Sequence, residues 1–138
     1  MSLSIRNQLP GTVTAITPGE VMATVKVRLA GGQDLTAAIT LEAVEDLGLA
    51  EGSTVNALVK ATEISLATAP VKGLSIRNQL PGTTGLATGG AMASVKIAVD
   101  GAELTAAITK DATTDLALAP GAPVVALVKA TEVALTTA

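Results

Sequence analysis

Leu3 to Gly11 reads LSIRNQLPG, and Leu74 to Gly82 reads LSIRNQLPG again without a change. That recurrence decides the organisation of the chain, because self-similarity at a fixed spacing marks a duplicated unit. Outward from it, LTAAIT at Leu35–Thr40 recurs at Leu104–Thr109, and ALVKATE at Ala57–Glu63 recurs at Ala126–Glu132. Between these blocks the copies drift: GEVMATVKV at Gly19–Val27 corresponds to GGAMASVKI at Gly89–Ile97. The register slips by one residue before Gly89 and again near Gly101, in Gly-containing stretches where turns absorb length changes. The junction is Thr68-Ala69-Pro70-Val71-Lys72-Gly73. Two copies are too few for a solenoid, so the chain divides into globular units at 1–69 and 70–138.

Most of one unit reads as strand. Val21, Ala23, Val25, Val27 and Leu29 alternate with Met22, Thr24, Lys26 and Arg28, a period of two that puts one face in and one face out. Thr12–Ile16 is similarly rich in residues that suit a pleated surface. Thr17-Pro18-Gly19 is a turn, and Ala30-Gly31-Gly32-Gln33-Asp34 sets a hairpin into Leu35–Leu41. A short helix follows over Glu42–Gly48, with Thr40 to cap it, Gly48 to end it, and Val44 and Leu47 facing inward. In the second copy Thr109, Asp111 and Leu116 take the matching positions, and Ala117 replaces the glycine. Ser53–Val59 is the next strand. Glu63–Leu66 is expected to close its own unit. The fold class is all-β with small α content: two tandem OB-like Greek-key β-barrels, each of about five strands plus one short helix. Leu58 points away from Val55, Ala57 and Val59, so a neighbouring subunit is expected to cover that side of the strand.

Composition narrows the function. Hydrophobic residues make up 49% of the chain, yet Phe, Trp and Tyr are absent. Small aliphatic side chains bury little area each, and a domain of half this length is marginal alone, so a homo-oligomer is expected. With no Cys and no His, disulfides, thiolate nucleophiles, zinc fingers and histidine bases are excluded. A net charge of −3 and the lack of stacking aromatics argue against nucleic acid. No apolar run reaches membrane-spanning length, and the opening MSLSIRNQLPG has no signal-peptide character. The expectation is a cytoplasmic protein with no membrane association.

The residues able to do chemistry are donors. Ser4-Ile5-Arg6-Asn7 and Ser75-Ile76-Arg77-Asn78 gather hydroxyl, guanidinium and amide groups at a strand start. Lys60-Ala61-Thr62 and Lys129-Ala130-Thr131 place an ammonium and a hydroxyl on one side of an extended chain. Rich in N–H and O–H and poor in acceptors, these segments suit a small anion. The bland alternatives are a turn-fixing Asn/Arg pair and a lysine that guards a sheet edge. Solvent-facing positions elsewhere drift between copies (Arg28 to Ala98, Glu45 to Thr114), whereas these segments do not. Enzymatic readings fare poorly. Glu45-Asp46 has no counterpart pair in copy two, a Ser4/Lys60 dyad lacks a nucleophile elbow, and Gly31-Gly32 is followed by no helix.

The pattern S-x-R-N-x-L-x-G, a Gly-Gly hairpin, a helix of the form LEAVEDLGL-x-x-G, then V-x-A-x-V-K-A-T resembles the Mop domain of molbindins, small molybdate-binding proteins, and covers almost all of both copies. The resemblance implies an OB-like barrel and a non-enzymatic protein that binds molybdate, and tungstate similarly, without a catalytic cofactor. It implies threefold assembly of six domains, hence a trimer of two-domain chains, with oxyanions between domains. It implies storage, buffering or delivery, with an oxyanion-sensing regulatory module acting through a partner protein as the alternative. It assigns oxyanion contacts to Ser4, Ile5, Arg6 and Asn7 with Lys60, Ala61 and Thr62 of a neighbouring domain. The twin set is Ser75, Ile76, Arg77, Asn78, Lys129, Ala130 and Thr131. Further sites near the threefold axis map onto Met22, Ala23, Thr24, Met92, Ala93 and Ser94. The metal is bound as an oxyanion, with no direct protein ligand. Ile5 and Ile76 stand where Ala is common in the family, which bears on pocket volume.

Overall fold

The computed structural model describes residues 3–137; the ends of the expected units, residues 1–2 and 138, lie outside them. The first copy runs β1 (Asn7–Pro18), β2 (Met22–Leu29), β3 (Asp34–Thr40), α1 (Leu41–Asp46), β4 (Thr54–Val59), a 3-10 turn at Ala61–Glu63, and β5 (Ser65–Ala67). The second repeats the order as β6 (Asn78–Thr88), β7 (Met92–Val99), β8 (Ala102–Thr109), α2 (Lys110–Asp115), β9 (Pro123–Val128), a 3-10 turn at Ala130–Glu132, and β10 (Ala134–Thr137). The architecture is two tandem OB-like units of curled antiparallel sheet with two short helices.

The alternation read at 21–29 holds from Met22 onward, whereas Val21, expected on the inward face, precedes the strand and is 72% exposed. Ala23, Val25, Val27 and Leu29 are buried while Met22, Thr24, Lys26 and Arg28 are exposed. The helix starts where its cap dictates. The Thr40 hydroxyl accepts from the Ala43 N–H at 3.1 Å, satisfying a donor that the first turn leaves unpaired. It ends two residues earlier than expected, at Asp46, with Gly48 at φ +62° receiving the chain in the left-handed region. Ala117 occupies the same place at φ +51°, which a side chain adopts at a cost. At the position of Val44, copy two has buried Thr113, whose hydroxyl donates to the Lys110 carbonyl at 2.6 Å.

Strand β1 begins at Asn7 and runs through Pro10 and Gly11, earlier than the expected start at Thr12. Proline is tolerated because the β2 ladder starts only at the Gly11–Leu29 pair, so Pro10 faces β4 alone. Gly11 is required by proximity: a Cβ there would lie 2.5 Å from Val27 Cγ1 and 2.8 Å from the Arg28 carbonyl oxygen. Gly82 meets the equivalent wall, the Ala98 carbonyl oxygen, at 2.5 Å. The first register slip lies inside this strand and not in a turn. Val13 pairs with Val27 and Ala15 with Lys26, so Thr14 is the extra residue of a β-bulge. The second slip shortens the hairpin between β7 and β8 to Asp100-Gly101, with Gly101 at φ +76°.

Ala61–Glu63 and Ala130–Glu132 form 3-10 turns where an extended chain was expected after each lysine, and the expected closure of each unit is overturned as well. Glu63–Leu66 was expected to close its own unit, but the sheets are ordered β10-β4-β1-β2-β3 and β5-β9-β6-β7-β8. Strand β5 pairs with β9 of the second half (Ser65 with Leu127, Ala67 with Val125), and β10 pairs with β4 of the first (Ala134 with Leu58, Thr137 with Val55). Each half is completed by the other's last strand. Because the copies carry matching edges, β5 fits β9 as it would fit β4, so the exchange keeps the same pairings. The core follows: buried aliphatic side chains from Leu9 to Leu135 form one cluster through both halves. Leu58 is 5% exposed in this single chain, and its counterpart Leu127 is also buried, so the chain itself covers the side for which a neighbouring subunit was expected.

Candidate functional site

Asn7 is the first residue of β1 and pairs with Val59, the last residue of β4. This pairing sets Ser4–Asn7 beside Lys60–Thr62 of the same copy. In the second half Asn78 pairs with Val128, which sets Ser75–Asn78 beside Lys129–Thr131. Within one chain the lysine segment of the same copy thus adjoins each Ser-x-Arg-Asn segment. The other half contributes a different surface. The Ala61–Glu63 turn lies against β8, and the Ala130–Glu132 turn lies against β3. Both donor groups therefore sit where the two halves of the chain meet.

The asparagine side chains make that junction. Asn7 is 2% exposed. Its Nδ2 donates to the Val59 carbonyl at 3.0 Å and to the Thr105 carbonyl at 2.9 Å, and its Oδ1 accepts from the Thr105 N–H at 2.7 Å. Asn78 does the same to Thr36: Nδ2 donates to the carbonyl at 2.8 Å and Oδ1 accepts from the N–H at 2.7 Å. Strands β3 and β8 are the outer strands of their sheets, with backbone groups left to satisfy. Each carboxamide acts on them as a peptide group of a further strand would.

Around this junction the donors face solvent. Ser4, Arg6, Lys60 and Thr62 are exposed, as are Ser75, Arg77, Lys129 and Thr131; Ile5, Ile76, Ala61 and Ala130 are half-buried. Arg77 donates to the Leu74 carbonyl at 3.2 Å. Lys96 Nζ donates to Thr105 Oγ1 at 2.8 Å, placing another ammonium on the residue that Asn7 grips. Among the described residues the ion pair is elsewhere, between Arg28 and Asp34 at 2.5 Å. The cations at the junction make no salt bridge among the described residues.

The threefold-axis candidates lie at the start of β2 and β7. Met22 and Met92 are 44% and 48% exposed, Ala23 and Ala93 are buried, Thr24 is exposed and Ser94 is half-buried. They are apart in sequence and strand position from the asparagine junctions. One surface groove is lined by Glu20, Val21, Thr40, Leu41, Glu42 and Glu45. Its three carboxylates repel an oxyanion, so it is not the anion site. No group of three or more His, Cys, Asp or Glu that could hold a metal ion occurs among the described residues, and none of their helices is long and apolar enough to cross a membrane. Sequence reasoning missed Thr36 and Thr105. Their signal was faint, a Thr inside an LTAAIT block that does not change between copies.

The fold and these junctions define a tandem β-barrel protein whose anion-type donors gather where its halves interlock. The TOBE domain model matches residues 3–66 and 74–135. The molybdenum-pterin-binding protein MopA of Rhodobacter capsulatus is 40% identical over 139 residues, covering 98% of this chain and 52% of MopA. The molybdenum transport protein ModE of Herbaspirillum seropedicae is 38% identical over 133 residues, covering 94% of this chain and 49% of ModE. The chain thus spans about half the length of these relatives. Among solved structures, the cytoplasmic molybdate-binding protein ModG with molybdate bound is 42% identical, covers 100% of both chains and superposes with a TM-score of 0.95. The chain belongs to the TOBE-domain family, and within it to the molbindins with two tandem Mop domains.

Proposed function

We propose that this chain binds molybdate, and tungstate in the same manner, as a non-enzymatic cytoplasmic protein for storage, buffering or delivery. The observation that carries the reading is the Asn7–Val59 pairing and its twin Asn78–Val128. Each register sets the backbone of one donor segment beside the other, which supports convergence of their hydroxyl, guanidinium, ammonium and N–H groups on one ion. The contacts fall to Ser4–Asn7 with Lys60–Thr62, and to Ser75–Asn78 with Lys129–Thr131. The segments around Met22–Thr24 and Met92–Ser94 form further sites when chains associate as a trimer. Molybdate is a tetrahedron of oxygens with two negative charges. Association of chains covers these exposed donors, and the lower local dielectric then strengthens their hydrogen bonds to the ion. No chemistry is performed on the ion, and the metal takes no protein ligand. The molybdate in the ModG structure and the names of the Mop relatives support this assignment.

The test is thermal unfolding of the full chain followed by circular dichroism, with molybdate, tungstate, sulfate and phosphate in parallel. A ligand that binds only the folded state at 100 times its Kd stabilises it by about 2.7 kcal/mol. Molybdate and tungstate should raise the melting temperature well above the sulfate control. Equal, negligible shifts for all four ions would reject the reading. A second reading, an oxyanion-sensing module acting through a partner protein, draws on the match to about half of ModE. It requires a partner captured only in the presence of molybdate.

A further inference from the structure

We propose that Asn7 and Asn78 are positioning residues of the oxyanion sites, holding the donor segments in place across the two halves, and that Asn7 does so without giving its side-chain amide to the ion. This rests on the function proposed above and concerns how the same sites are built. An asparagine amide has two N–H donors and one carbonyl oxygen. In Asn7 both donors are committed, to the carbonyls of Val59 and Thr105, and the oxygen takes the Thr105 N–H. At 2% exposure the side chain has no free face to offer. An anion that used this amide would strand the buried Val59 carbonyl and the half-buried carbonyl and N–H of Thr105.

The position matters as much as the saturation. Arg6 precedes Asn7, and Lys60 follows Val59. One carboxamide therefore fixes the backbone at the edge of both donor segments and ties it to β8 of the other half. Asn78 repeats the tie to Thr36 on β3. Both asparagines thus reach into the opposite copy, so the shape of each site depends on a strand that contributes nothing from the donor motifs. The donors left to the ion are the Ser4 hydroxyl, the Arg6, Lys60 and Thr62 side chains and nearby backbone N–H groups, with the equivalent set in copy two.

Two variants of the full chain separate this role from its rivals. Asn7→Ala removes the tie. Thr105→Pro leaves Asn7 intact but deletes the N–H that its Oδ1 accepts; that N–H points away from the ladder and proline is tolerated on an edge strand. Molybdate binding is read by calorimetry on protein shown to be folded by circular dichroism. Removing partners that orient metal-ligating residues costs about 10- to 100-fold in metal affinity, and a loss of the same order is expected for donors to an oxyanion. Each variant should therefore split the isotherm, with the copy-one sites weakened by that factor and the copy-two sites unchanged. A folded Asn7→Ala chain with one class of sites at wild-type affinity overturns the proposal, because a merely structural residue would lower the melting temperature alone. Loss of binding in Asn7→Ala with none in Thr105→Pro also overturns it and makes Asn7 a direct ligand. If neither variant folds, amide exchange on the wild-type chain decides. The Thr105 N–H should exchange about tenfold or more slowly with molybdate bound, and an unchanged rate overturns the tie. A wild-type chain that binds no molybdate is a separate result, and refutes the proposed function instead.

Discussion

Replacing Leu135 by Ala should weaken the first half of the molecule, although the substitution lies near the end of the second. Leu135 sits on β10, pairs with Ala57 of β4, and is 8% exposed within the core cluster shared with the first copy. Leucine-to-alanine changes in cores cost about 2–5 kcal/mol, depending on how far the site can collapse. Strand β10 is the outer strand of its sheet, so partial collapse is open to it and the cost should be about 2–3 kcal/mol. At 1.4 kcal/mol per tenfold, that multiplies the opening equilibrium roughly 30- to 140-fold. Residue-resolved amide exchange reads where the opening occurs. Exchange should accelerate by that factor along β4 (Thr54–Val59) and change far less along β9 (Pro123–Val128). Acceleration confined to β9 would refute the exchanged closure and restore the arrangement in which each copy closes itself.

Other outcomes follow from single residues. Ala117→Gly should raise stability by ~0.5–1 kcal/mol, the relief of a left-handed alanine less the entropy of a freer unfolded chain; a lower urea midpoint would contradict it. Gly11→Ala should destabilise by ~1–3 kcal/mol, since its methyl meets Val27 and the Arg28 carbonyl. The hydrogen bond from Arg28 holds the Asp34 carboxyl below its ordinary value, ahead of the smaller pull of the Arg28 and Lys26 charges. The unfolded chain therefore takes up a proton first on acidification, and the pair's contribution, complete above about pH 4 to 5, is lost as pH falls below that range. Arg28→Ala should differ from wild type in urea midpoint at neutral pH and converge with it in acid. No such pair links Ala98 and Glu103 across the same place in copy two.

The parts of the fold written into short stretches were legible. The period of two located β2 over 22–29, though not the exposed Val21 before it, because alternation on a half-buried sheet is a local property. Thr40 marked the helix start because a cap is a contact between near neighbours. The exchange of β5 and β10 was hidden for the opposite reason. When two copies carry matching edges, either pairing satisfies the same residues, and only the path of the chain between them decides. Thr14 looked like ordinary strand, since a bulge becomes visible only once the partner register is known. The donor segments could be singled out at Ser4–Asn7 and Lys60–Thr62. What their residue types could not reveal is that the Asn7 amide is spent on Thr105, far away along the chain and close in space.

The central claim is best tested by crystals of the full chain grown with molybdate, with anomalous scattering recorded at the molybdenum edge. The account predicts peaks beside Ser4–Arg6 and Lys60–Thr62, and beside Ser75–Arg77 and Lys129–Thr131, with Asn7 and Asn78 still bonded to Thr105 and Thr36. Peaks only in the groove of Glu20, Glu42 and Glu45, or none near any lysine of the two K-A-T segments, would contradict it.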